Sequence, residues 1–425
     1  MNSSSFSSQA QQQQSGDFFL SDRFYLTQRR SAAVISSRLF YLLPMAMLAI
    51  TSVGAQADEL DTFQFRVGEN IMHQSNVFYL SDSANPQSDK VAVTSAGLKI
   101  NKAYGLQQIE LDVGAENYRY SRFSQLNFTA MNYAAAFRWS ITPAFHGNVI
   151  ANRREYVDNS ADVQNTGQVN RRTDRFNALD AEYELGAAWR LVGGLFERRI
   201  SNSQPFTFEG NSKLQGAEAG VRYVYPSGTS LAYRYKQGKG DYQDRPLSTQ
   251  FANQFKDREH EFKLGIAPTG KTTVQARLSH LQRRHEGLPA RDFSGLTGQL
   301  DATWAVTGKT TIAGGVAHEL GSYQDQTASY YEGTRFFVSP TWKPTEKTAV
   351  RLRYDQGKRK FKGALPGVVG IDRTDTTTLS SIALEWQALR ALKLAAMAQQ
   401  QNRRSSAPGF DYKNTTIGVS ALFSF

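Results

Sequence analysis

In the ten residues from Thr416 to Phe425, Ile417, Val419, Ala421, Phe423 and Phe425 are apolar at period two, and of the residues between them all but Leu422 are small or polar. Strict period two gives a strand one greasy face and one polar face, which restricts this stretch to a half-buried sheet. A sheet whose greasy face extends to a terminal aromatic needs an apolar medium beside it.

The other end of the chain points the same way. An apolar run, Leu39 to Ile50, precedes Ala55-Gln56-Ala57 and Asp58, the layout of a cleavable export signal. The run is short for a spanning helix and carries Pro44. We therefore expect residues 1–57 to be an N-terminal extension and signal peptide cleaved near Ala57, and residues 58–425 to be the folded domain. Export followed by an aromatic, alternating last strand implies the outer membrane of a Gram-negative cell. On this reading Phe425 is the residue that the barrel assembly machinery meets.

Composition narrows the fold further. The chain has no cysteine, so disulfides and thiolate metal sites are excluded. A mean hydropathy of −0.48 excludes a helical membrane protein but not a barrel, whose lipid face uses alternate residues only. The 26 Phe and 19 Tyr suit aromatic girdles at the two membrane interfaces. A net charge of +11 would suit a nucleic-acid binder, but an export signal removes the chain from that compartment, and no nucleic-acid partner is expected.

Compact turn chemistry recurs along the chain at Lys102 to Gly105, Thr142-Pro143, Arg190 to Gly193, Pro226 to Gly228, Pro268 to Gly270, Thr307 to Lys309, Lys343 to Lys347 and Gln387 to Leu392. Alternating runs flank these turns, and longer polar stretches such as Ser75 to Asp89 and Asp158 to Asn170 separate the hairpins. Short turns on one edge with long loops on the other is the plan of a transmembrane antiparallel β-barrel. Counting runs predicts an all-β barrel of roughly eighteen strands with both ends on the periplasmic side. One of these runs is read as a strand over 171–189, ending at the Arg190 turn.

If the apolar positions face lipid, their neighbours face a lumen. Arg138, Arg222, Arg234, Lys236, Lys263, Arg277, Arg335, Arg351, Arg353 and Lys393 then line the interior, opposed by Glu110, Asp112, Asp180, Glu182, Glu184, Glu261, Asp301, Glu319 and Glu385. The cations gather in later strands and the acids in earlier ones, which would set a lateral field across the pore. The first reading of this lining is that most of these groups are ion pairs filling the wall, each worth little alone, and the other is that they guide a polar or anionic solute.

Several motifs carry no chemistry. Gly265 to Thr272 (GIAPTGKT) fits the P-loop pattern, but Thr307-Gly308-Lys309 repeats the turn one hairpin later, so a hairpin turn is the better reading. The six histidines, at 73, 146, 260, 280, 285 and 318, show no metal-ligand spacing on one strand face. The acidic residues from Asp82 to Asp89 lack a calcium-loop spacing. Ser279 beside His280 is adjacency without convergence on a third group. No catalytic residue, metal or cofactor is expected, and no enzyme.

Four segments resemble the EpsL-type outer-membrane proteins of exopolysaccharide loci that accompany exosortase B and PEP-CTERM systems. They are Ala217 to Val224 with Pro226-Ser227-Gly228, Arg291 to Gly298, Glu319 to Asp325, and Gly409 to Tyr412. The resemblance runs over most of residues 60–425 and also touches Asn127 to Thr142. It implies a part in exopolysaccharide biosynthesis or export, with a polysaccharide, outer-membrane lipid and periplasmic export components as partners. Two other readings share the barrel: a general or oligosaccharide porin, for which Asp158 to Asn170 is long enough to fold inward, and a non-conducting surface anchor for polysaccharide.

Overall fold

A computed structural model describes residues 62–158, 169–204, 210–243, 250–370 and 372–425. The signal peptide, its cleavage point and most of the stretch from Asp158 to Asn170 lie outside the described residues. The strands on the first half of the wall are β1 (Phe63–Gln74), β2 (Asp89–Tyr104), β3 (Gln107–Tyr120), β4 (Phe128–Thr142), β5 (Phe145–Val157), β6 (Arg171–Leu185), β7 (Trp189–Asn202), β8 (Asn211–Val224) and β9 (Ser230–Gln243). The second half comprises β10 (Gln254–Thr269), β11 (Thr272–His285), β12 (Phe293–Ala305), β13 (Thr310–Ser322), β14 (Tyr330–Thr345), β15 (Thr348–Lys362), β16 (Thr374–Gln387), β17 (Leu392–Ser405) and β18 (Tyr412–Ser424).

Each strand pairs antiparallel with its neighbours in sequence, and β1 pairs with β18 from Arg66↔Ser424 to Gln74↔Thr416. The ring is therefore closed, and no sheet edge is left to be satisfied in lipid. Phe425 completes the seam: its N–H donates to the Phe65 carbonyl at 2.9 Å, the Phe65 N–H donates back at 2.7 Å, and the two rings stack at 5.9 Å.

Register fixes the faces. Val67, Leu179, Leu195, Phe262, Leu278, Leu300, Val316, Phe336, Ile382 and Val419 all occupy the outward row and are exposed. Among the described residues no helix is long and apolar enough to cross a membrane. A closed antiparallel barrel with an apolar outer belt is the spanning form of outer-membrane proteins.

The belt is asymmetric. All five tryptophans of the chain, Trp139, Trp189, Trp304, Trp342 and Trp386, sit at the short-turn ends of their strands and on the outward row. Tryptophan favours the level where hydrocarbon meets headgroups, so this end lies at one interface. The long-loop end carries no tryptophan; basic side chains replace it on the same row.

One hairpin departs from the sequence reading. The turn expected at Arg190 to Gly193 lies at Gly186 to Ala188, where Gly186 adopts φ +69°, and Arg190 to Gly193 belong to β7. Leu185, Ala187 and Trp189 keep the alternation going through the turn, which hides it. The Gly193-Gly194 pair answers packing instead: a Cβ on Gly194 would stand 2.8 Å from the Leu179 carbonyl. By contrast, the P-loop-like segment is a hairpin turn between β10 and β11, with a bulge between Ile266 and Thr269.

The lumen as candidate functional site

All ten lumen-facing cations named from the sequence occupy the inward row, as do the acids expected to oppose them. They are joined locally rather than segregated. Arg138 donates to Glu110 through Nε at 2.9 Å and Nη2 at 3.1 Å. Arg222 pairs with Glu182 and Arg234 with Glu218. Arg335 and Arg353 share Asp355 at 2.5 and 2.6 Å, and Arg351 holds Glu385 at 2.7 Å, with Lys393 at 4.0 Å from the same carboxylate. At the centre, Glu261 is gripped by Lys236 at 2.7 Å and Lys263 at 3.3 Å, with Arg277 at 3.9 Å; Glu259 accepts from Arg277 at 3.4 Å.

The lateral field read from the sequence is thus cancelled within each neighbourhood, because acids and bases meet two residues apart on one strand or across adjacent or next-but-one strands. Small residues make these reaches possible. Arg66 on β1 pairs with Asp112 on β3 by passing over Gly97 of β2, where a Cβ would lie 3.4 Å from its guanidinium.

Sequence reasoning passed over one cluster. His146 on β5 comes together with Glu182 and Glu184 on β6, their ligand atoms within 4.8 Å of one another. The spacing lies across strands, so no single-strand pattern announces it. Arg190 at 3.1 Å from Glu184 and 3.6 Å from Glu182, with Arg222 on Glu182, already supplies the positive charge there. The donor set behaves as part of the ion-pair wall and not as a metal cage.

The long-loop end is built differently. Val77 and Phe78, from the loop after β1, pack against the inward side chains Val91, Val93, Tyr120, Phe128 and Ala130, so this loop folds into the mouth. It is held by Asn76, whose amide donates to the Leu80 carbonyl at 2.7 Å and whose N–H donates to Asn414 at 3.1 Å. Among the described residues, the segment from Ser75 to Asp89 thus folds inward.

Opposite it, three loops are tied to one fully buried side chain. Arg291 donates to the Gln250 carbonyl at 2.6 Å and to the Ala328 carbonyl at 2.8 Å, and Gln324 accepts the Ala252 N–H at 3.1 Å. Below and beside this latch, guanidinium groups lie over rings: Arg283 over Phe255 at 3.9 Å, Arg373 over Phe410 at 3.6 Å and over Phe361 at 4.3 Å, and Arg359 over Tyr331 at 4.7 Å. Each such contact contributes about 0.5–2 kcal/mol, so the mouth is a stiff rim. Small residues admit the rings: a Cβ on Gly240 would run into Phe255, and one on Gly321 into Tyr331. The segments Arg291 to Gly298, Glu319 to Asp325 and Gly409 to Tyr412 meet here, since Arg373 donates to the Tyr323 hydroxyl at 3.2 Å while covering Phe410, and Arg291 latches the loop that carries Gln324.

No family model matches the chain, and no curated protein matches it. Solved structures of Pseudomonas aeruginosa outer-membrane proteins are similar in fold. OccK1 (OpdK) is 13% identical, with a TM-score of 0.47, covering 85% of this chain and 99% of that one. OccK2 (OpdF) in complex with glucuronate is 13% identical, with a TM-score of 0.49, covering 86% and 98%. OpdQ is 12% identical, with a TM-score of 0.47, covering 86% and 100%. The barrel itself stands on its closed strand order and its apolar outer belt.

Proposed function

We propose that this outer-membrane barrel is a passive, porin-type channel for polar, sugar-bearing solutes, without catalysis or cofactor. The observation that carries this is the inner wall: a ladder of locally neutralised ion pairs beneath a rim of rings and guanidiniums. Closure at eighteen strands leaves an interior wide enough for water. A wall whose charges cancel within each pair does not trap one ion species, yet it offers carboxylates and guanidiniums that can exchange hydrogen bonds with hydroxyl-rich solutes. The in-folded loop from Ser75 to Asp89 and the Arg291 latch narrow the entrance. Purified protein in a planar bilayer is expected to conduct, and Arg291→Ala, which unties three loops, is expected to raise single-channel conductance and flicker. Absence of conductance in both proteins would leave only the surface-anchor reading.

A second reading is kept for the rim. Aromatic rings with apolar faces beside fixed guanidiniums suit a sugar chain threading through, and the segments of EpsL resemblance converge there. On that reading the channel is the outward route of a secreted polysaccharide, delivered by periplasmic components. Deleting the gene then lowers polysaccharide in the medium and raises it in the periplasm, whereas unchanged secretion restricts the protein to solute diffusion.

A further inference from the structure

The ten lumen cations described above are paired, whereas many of those on the outside of the barrel make no ion pair among the described residues. Along the outward row, above the apolar belt on the long-loop side, β15 to β18 expose Lys358, Lys360, Arg404 and Lys413. None of the four makes an ion pair among the described residues. The outward row of these four strands holds no acid; the nearest on that row is Glu332 of β14, occupied by Lys362 at 2.7 Å. Register sets the spacing: Lys358, Thr376 and Arg404 form one row across β15, β16 and β17, which puts the two cations about 10 Å apart with a threonine between them. Lys360 lies over Thr374 in the next row. A second group, Lys239, Arg258 and Arg284 on β9 to β11, repeats the arrangement on another part of the circumference, with Asp241 near it.

Height identifies the partner. From Trp386 to Thr376 on β16 is ten residues, about 33 Å along the strand and roughly 25 Å along the membrane normal after tilt, which is the thickness of the apolar belt. The basic row thus stands at the headgroup level of the leaflet opposite the tryptophan girdle. Tryptophan at one interface and unpaired lysine and arginine at the other match a bilayer whose outer leaflet carries fixed negative charge.

We propose that Lys358, Lys360, Arg404 and Lys413 form a docking surface for the phosphate groups of an outer-leaflet glycolipid, with Thr374 and Thr376 as hydroxyl donors between the cations. This surface is separate from the lumen and does not depend on what passes through it.

The test uses full-length protein reconstituted in detergent with two glycolipid probes of identical acyl chains, one bisphosphorylated and one enzymatically dephosphorylated. The wild type is expected to bind the bisphosphorylated probe more tightly, with an affinity that falls as salt rises. K358Q/K360Q/R404Q/K413Q is expected to lose roughly fivefold per cation, on the order of a hundredfold or more in all, while keeping the slower migration of the folded barrel on unboiled gels. Equal binding of the two probes to the wild type would overturn the proposal even if the variant failed to fold. So would unchanged binding by a folded variant, or displacement of the glycolipid by a dissolved acidic polysaccharide at similar concentration, which would make the patch a polymer surface.

Discussion

Glu261→Gln is expected to move the reversal potential in a KCl gradient toward the anion limit and to lower the stability of the barrel by about 3 kcal/mol. Glu261 is only 1% exposed, and its carboxylate is held between Lys236 at 2.7 Å and Lys263 at 3.3 Å, with Arg277 at 3.9 Å. The amide keeps the shape and removes the charge. Glu259 stays within 3.7 Å of Lys236 and 3.4 Å of Arg277, but it must then compensate a cluster in which Lys263 has lost the carboxylate beside it. Removing one partner from a desolvated pair leaves charge uncompensated, the costly direction of such a change. Lys263→Gln is the informative control: Glu261 keeps Lys236, so the loss of stability is smaller and selectivity moves toward cations. The double variant should recover part of the loss, with a coupling energy of about 1 kcal/mol or more. Equal selectivity in all four proteins would show that ions do not pass this part of the wall.

That cluster also shows how far the sequence could be read. The assignment of Glu261, Lys263, Lys236 and Arg277 to the lumen follows from period two alone, because alternation sorts side chains to faces before any partner strand is known. Apart from same-strand neighbours such as Lys263 and Glu261, which carboxylate a cation meets depends on the stagger between strands, a non-local quantity that the run of residues in one strand does not contain. For that reason the lumen charges, and ion pairing as the fate of most of them, were legible while the partner of each was not, and His146 could not be joined to Glu182 and Glu184. The hairpin at Gly186 was displaced for a local reason: the alternation of Leu185, Ala187 and Trp189 passes straight through it, and the Gly193-Gly194 pair imitates a turn. Loop positions were the least legible. The run from Asp158 to Asn170, long enough to fold inward, lies mostly outside the described residues, whereas Val77 and Phe78, two apolar residues among turn formers, mark the loop after β1 as one that folds in, because apolar loop residues need an inner wall to cover them.

Outside the barrel the same alternation yields a test of membrane depth. Val419→Arg is expected to destabilise the folded state by about 2–4 kcal/mol in lipid vesicles, whereas Thr415→Arg, four residues nearer the long loops on the same strand and face, should cost about 0–1 kcal/mol. Val419 is 56% exposed and faces Ile71 of β1 and Ala396 of β17, so a guanidinium there has apolar neighbours on both sides and hydrocarbon in front. Thr415 lies beside Gln400 and two residues from Lys413, at the level where the outward row turns basic, and a new cation there gains headgroup oxygens. The position adds a second consequence: Val419 belongs to the strand that closes the ring, where Phe425 and Phe65 exchange backbone hydrogen bonds. Weakening β18 therefore acts on closure itself, and the loss should appear as a slower unfolded-to-folded gel shift as well as a lower midpoint in denaturant, read through the tryptophan girdle. A penalty at Thr415 equal to that at Val419 would place both in hydrocarbon, and the basic row above them would then have no headgroups to meet.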